Sequence, residues 1–164
     1  MFSSLMDERG GDAAANFDQN QIGMSRQLRL LKELLACLEP HFYAYLEKVG
    51  ADHFFFAFRW ILCMFKREFD FECCIRLWEV LFCNYFLAHN KFQLFVALAM
   101  LVKQKEAVMA NELDETELIK YIIDISGTMD VDEVLIDAEF LLNRFLYKAG
   151  KKVINEELIT EILE

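Results

Sequence analysis

Apolar residues recur at every third or fourth position along most of the chain, the spacing of helices that each bury one face. Leu28, Leu31, Leu35 and Leu38 form a first stripe after Met24, widened by Leu30 and Leu34. Pro40 stops that helix and suits the first turn of a second, which runs to about Leu46. A break follows at 49–52, where Asp52 can cap the next segment. Residues 53–66 are apolar nearly all round, which predicts a central helix buried on most sides. Asp70 can cap a further helix with the stripe Phe71, Cys74, Ile75, Trp78, Leu81, Phe82, Tyr85. Another is expected over 91–109, with Phe92, Phe95, Ala99 and Val102 on one side. Asp114 with Glu117, and Asp130 with Glu133, have the spacing of capping boxes. They open helices at about 115–125 (Leu118, Tyr121, Ile122, Ile125) and 131–148 (Leu135, Ala138, Leu142, Phe145). Gly127 fits a C-cap, and Asn155 can cap a last short helix.

The expected fold is therefore all-α, an irregular array of seven to eight helices with short connections. No stretch alternates with period two for long enough to make a sheet, and no period of 20 to 50 residues marks a solenoid. Residues 7–21 are polar, contain Gly10-Gly11, and read as a loop.

Composition narrows the class further. With 55% hydrophobic residues, sixteen Phe and a single Pro in 164 residues, the chain is neither a disordered tail nor a turn-rich β-sandwich. Its net charge of −10 is uneven: residues 1–105 carry 12 basic and 12 acidic side chains, and residues 106–164 carry 5 and 15. An acidic surface repels phosphate backbones, which argues against nucleic-acid binding. The longest uncharged apolar-rich runs, 80–90 and 92–102, are eleven residues each, well short of the roughly 20 that span a membrane. The N-terminus lacks the basic start and long apolar stretch of a signal peptide. Five cysteines (Cys37, Cys63, Cys73, Cys74, Cys83) in apolar surroundings, without metal or redox spacing, read as reduced thiols of a cytoplasmic protein. His41, His53 and His89 have no ligand-like spacing to them, so no metal or other cofactor is expected.

Little in the chain carries enzyme chemistry of its own. Gly10-Gly11 lacks the Lys-Ser/Thr of a phosphate loop, and neither G-x-S-x-G nor H-E-x-x-H occurs. A calcium loop begun at Asp124 would place Met129 and Leu135 where Gly and Glu are needed; one begun at Asp130 would place Leu135 and Leu141 there. The informative stretch is FRWILCMFKREF (58–69). Arg59 inside an apolar helix is costly unless it is paired, with Glu68 or Glu79 in reach, or faces a partner. Lys66, Arg67 and Glu68 cluster at the end of that helix.

FRWILCMFKREF, RLWE (76–79) and FQLFVALAML (92–101) together resemble the C-terminal half of a TBC domain, the all-helical module of Rab GTPase-activating proteins. NFDQNQIGMSRQLRLLKELL (16–35), EPHFYAYLEK (39–48) and IIDISGTMDVDEVLIDAE (122–139) resemble it too, so the likeness runs in order over about residues 6–142. The FKREF form with RLWE is similar to the branch active towards late-endosomal Rabs. The resemblance implies that residues 1–148 are the C-terminal portion of such a domain, with a loop-rich lead-in over 1–23 and a helical extension over 149–164. It implies a GTP-bound Rab-type small GTPase and the N-terminal half of the domain as partners, and a cytoplasmic place at endomembranes. Arg59, Lys66, Arg67 and Glu68 are the expected partner-binding residues; Trp60, Phe65, Phe69 and Trp78 are expected mainly in the core.

Members of the family supply an arginine finger from I-x-x-D-x-x-R, which neutralises charge on the transferring phosphoryl group, and a glutamine finger from Y-x-Q, which positions water. Neither pattern occurs here: no isoleucine has Asp three places on and Arg six on, and no tyrosine has Gln two places on. The expectation is a portion that contributes to Rab binding and domain support and is not catalytic by itself. Two alternatives stand beside it: a non-catalytic adaptor that takes a protein helix in an apolar groove, and a self-associating module that hides its apolar patches in a homodimer.

Overall fold

A computed structural model describes the backbone of residues 22–86 and 91–163, with side chains for 23–82 and 91–163. The loop expected over 7–21, the side chains of Cys83 and Tyr85, and His89 lie outside the described residues. Nine helices form among those described: α1 (Ile22–Leu38), α2 (Pro40–Lys48), α3 (Phe55–Leu62), α4 (Phe71–Phe86), α5 (Phe92–Lys103), α6 (Lys105–Ala110), α7 (Glu115–Asp124), α8 (Val131–Gly150) and α9 (Glu156–Leu163). The described residues contain no strand. No helix among them is long and apolar enough to cross a membrane, and no cluster of His, Cys, Asp or Glu among them has metal-site geometry.

The centre is α5, not the 53–66 segment. Residues 94–101 are all at most 1% exposed, because α8, α1 and α3 pack around this helix. Each Leu or Phe so buried contributes about 2 kcal/mol, which makes α5 the main apolar anchor. The segment 53–66 yields only the short α3, with Phe55 at its start 66% exposed. Asp52 does not cap α3; its carboxylate takes Lys32 Nζ at 2.6 Å, and the residue before the helix is Phe54 in a left-handed conformation. The expected 91–109 helix is broken at Gln104, whose side chain accepts from Tyr121 Oη at 2.9 Å.

Local capping follows the sequence closely. Asp114 and Glu117 form a reciprocal capping box on α7, at 2.8 and 3.1 Å. Asp130 accepts from the amides of Asp132 and Glu133, but the Glu133 side chain turns to Lys103 at 2.7 Å instead of closing the box. Asn155 accepts from the Glu157 amide at 3.0 Å and caps α9. The C-terminal carbonyls of α1 are met by cations from α8: Arg144 donates to Leu38 O at 2.8 Å and Lys148 to Cys37 O at 2.7 Å. This placement suits the negative end of the helix dipole. Between α1 and α2, Glu39 receives both Arg144 (2.7 Å) and Lys105 (2.9 Å). Burial raises the Glu39 carboxyl, but these two donors outweigh it and hold it below its ordinary value.

Candidate partner-binding site

The stretch 63–69 is an ordered turn between α3 and α4. It begins as a helix stop in which Phe65 N–H donates to Trp60 O (2.8 Å) and Met64 N–H to Ile61 O (3.2 Å). That pairing satisfies two orphan carbonyls but needs a left-handed residue, usually glycine, after the cap. Here Met64 (φ 46°) and Phe65 (φ 61°) both take positive φ, at about 1 kcal/mol or more each. Burial of the Phe65 ring, 1% exposed, offsets this. Trp78 Nε1 donates to Met64 O at 2.8 Å and the buried Cys74 thiol donates to Phe69 O at 3.4 Å, so α4 holds the turn from behind. Asp70 accepts from the Cys73 amide at 2.8 Å and caps α4; that hydrogen bond holds its carboxyl below the ordinary value.

The other side of the turn is tied to the α7–α8 loop. Ser126 Oγ donates to Arg67 O (2.7 Å), and Gly127 N–H donates to Glu68 O (2.9 Å). Gly127 has φ 78°, so glycine is needed there for the backbone itself, since a Cβ would meet open space.

Arg59 and Glu68 meet across the turn. Arg59 Nη2 and Nε donate to Glu68 Oε1 at 2.7 and 2.9 Å. The Glu68 side chain is 1% exposed and its Oε2 has no partner, whereas the Arg59 side chain is 27% exposed. Of the two candidates for Arg59, it is therefore Glu68 that pairs, and Glu79 stands exposed on α4. Lys66 and Arg67 are exposed and have no ion-pair partner among the described residues. Trp60, Phe65 and Phe69 are buried and Trp78 is half-buried. Of the four polar residues singled out from the sequence, three lie in the turn and Arg59 reaches it from α3, and they divide by role: Glu68 points inward on Arg59, while Lys66 and Arg67 are exposed. The sequence pattern did not bring Ser126 or the Gly127 amide to this turn, because no local spacing links positions 59 residues apart.

The turn offers two exposed cations on a braced backbone, and its one thiol, Cys63, is part-buried. Burial raises the Cys74 and Cys37 thiols, which disfavours the reactive thiolate, and all four cysteines with described side chains are free.

The all-helical array follows a known fold. It superposes on the crystal structure of the Ypt/Rab-GAP domain of Gyp1p with a TM-score of 0.72, covering 91% of this chain and 44% of that one at 23% identity. The family model of the Rab-GTPase-TBC domain matches residues 1–109, and the chain belongs to that family. Among its relatives, GTPase-activating protein GYP7 of Yarrowia lipolytica is 40% identical over 130 residues, 79% of this chain and 18% of that protein. The gyp7 protein of Schizosaccharomyces pombe is 38% identical over 81% of this chain and 18% of its own length. TBC1 domain family member 17 of Homo sapiens is 36% identical over 77% and 19%. The chain thus spans less than a fifth of these relatives.

Proposed function

We propose that this chain is the part of a Rab GTPase-activating domain that supports the domain and contributes Rab contacts, while the arginine and glutamine fingers come from the N-terminal half of such a domain. Membership of the Rab-GTPase-TBC family carries the reading, and the relatives named as GTPase-activating proteins support it. The absence of both finger patterns from the sequence supports a non-catalytic role for these residues alone. Lys66 and Arg67, with the solvent-facing part of Arg59, would meet acidic groups of a GTP-bound Rab, and Glu68 would act through Arg59. A late-endosomal Rab is the first candidate, at the cytoplasmic face of endomembranes.

An arginine finger in trans is worth about 10³ to 10⁵ in GTPase rate. The purified chain mixed with GTP-loaded Rabs should leave phosphate release at each intrinsic rate while still binding at least one of them. Lys66→Ala/Arg67→Ala should weaken that binding. Acceleration of hydrolysis by the chain alone would overturn the non-catalytic reading. Rab binding unaffected by the double substitution would remove the turn from the interface.

A further inference from the structure

Lys66 and Arg67 stand side by side in the 63–69 turn, both exposed, yet their backbones are held unequally. Among the described residues the Lys66 carbonyl meets only the Cys74 thiol, a weak donor at 3.7 Å. The Arg67 carbonyl takes the Ser126 hydroxyl at 2.7 Å, and the next carbonyl, that of Glu68, takes the Gly127 amide at 2.9 Å. Both peptide planes that follow the Arg67 side chain are therefore fixed from the α7–α8 loop. Beyond them the Glu68 carboxylate is fixed by Arg59.

The loop is itself held in place. Thr128 closes it on its own backbone, with its amide and its hydroxyl both donating to Ile125 O at 3.1 and 2.7 Å. Gln104, at the break between α5 and α6, grips both sides of it: its oxygen accepts from Tyr121 Oη at 2.9 Å, and its amide nitrogen reaches Met129 Sδ at 3.8 Å. Gly127, with φ 78°, lets the chain turn its N–H towards Glu68 O. These bonds touch only the backbone of the turn, so the Arg67 side chain stays exposed and without an ion-pair partner among the described residues. The brace comes from beyond residue 109, where the match to the family model ends.

A cation that meets a partner loses backbone and side-chain freedom, and every flexible residue ordered on binding lowers affinity. At Arg67 the backbone share is lost on folding instead, so binding has only the side chain left to order. We propose that Ser126 is a positioning residue for Rab recognition, acting through the Arg67 backbone, with Gly127 as the second point of the clamp. This role rests on the Rab-facing reading of the turn and adds the α7–α8 loop to that interface.

The whole chain and a GTP-loaded late-endosomal Rab test it by biolayer interferometry. Ser126→Ala should weaken binding about fivefold, and Ser126→Thr, which keeps the hydroxyl, should bind within about twofold of the unaltered chain. In a double-mutant cycle the loss should vanish when Arg67→Ala is already present and persist alongside Lys66→Ala, a pattern that a general loss of stability does not produce. On the chain alone, Ser126→Ala should speed hydrogen exchange of the Gly127 amide about tenfold and leave the Cys73 amide, bonded to Asp70, within about twofold. The role of Ser126 is overturned if Arg67→Ala weakens binding and Ser126→Ala does not, if the two losses add, or if Gly127 exchange is unchanged. Binding indifferent to Arg67→Ala, or no binding by the unaltered chain, would overturn the Rab-facing reading and the role of Ser126 with it.

Discussion

Removing Arg59 should cost more than removing the charge of Glu68, although both break one ion pair. The Glu68 side chain is 1% exposed and already has one oxygen without a partner; without Arg59 the other loses its two donors as well. Breaking a buried pair from one side costs about 3 to 5 kcal/mol. Arg59 is 27% exposed, so water can enter the space it leaves, which lowers the expected cost of Arg59→Ala to about 2 to 3 kcal/mol. Glu68→Gln keeps the shape and frees Arg59 to turn towards solvent, so its cost is about 1 kcal/mol. Replacing both with apolar residues, Arg59→Met with Glu68→Leu, should return to within about 1 kcal/mol of the wild type, because no buried charge remains. Urea unfolding followed by the fluorescence of Trp60 and Trp78 measures all three. For a chain of this size Arg59→Ala should lower Tm by about 4 to 12 °C. A Glu68→Gln variant as destabilised as Arg59→Ala, or a double variant no better than Arg59→Ala, would refute the argument that the cost comes from stranding the carboxylate.

Asp114→Ala removes the acceptor of the Glu117 amide while the backbone amide at position 114 can still donate to Glu117 Oε2, and should destabilise the chain by about 1 kcal/mol in the same assay. Gly127→Ala should cost about 1 kcal/mol through its positive φ alone, since the added methyl meets nothing within 4 Å. Acid should destabilise the fold through Glu39. Its carboxyl is held down by Arg144 and Lys105 in the folded state, so its contribution is complete above the ordinary glutamate range near 4.3 and is lost as pH falls through the lower folded value. Glu39→Gln should therefore flatten the stability profile below about pH 5 and leave its slope at pH 7 unchanged, as thermal melts across pH will register.

The helices and their caps were legible because they are local. Stripes at three- and four-residue spacing mark α1, α4, α7 and α8, and the oxygens of Asp70, Asp114, Asp130 and Asn155 reach amides only two or three residues away. The end of α3 was not legible, since neither Met64 nor Phe65 is a residue type that announces positive φ. Asp52 looked like a cap and became the partner of Lys32, twenty residues away. Equally apolar segments gave a short α3 and an α5 buried over 94–101, because burial depends on how many neighbours surround a helix.

The amino-acid order by itself determined the all-helical class, the starts of most helices and the kinship with Rab-GTPase-TBC domains, since each of these is written in spacing or in contiguous motifs. Tertiary structure alone decided which carboxylate neutralises Arg59, that the 63–69 turn is braced by Ser126 and Gly127, and that α5 is the enclosed centre. The physical reason is range: side-chain spacing constrains contacts within a turn or two of helix, while these contacts join segments that only packing brings together.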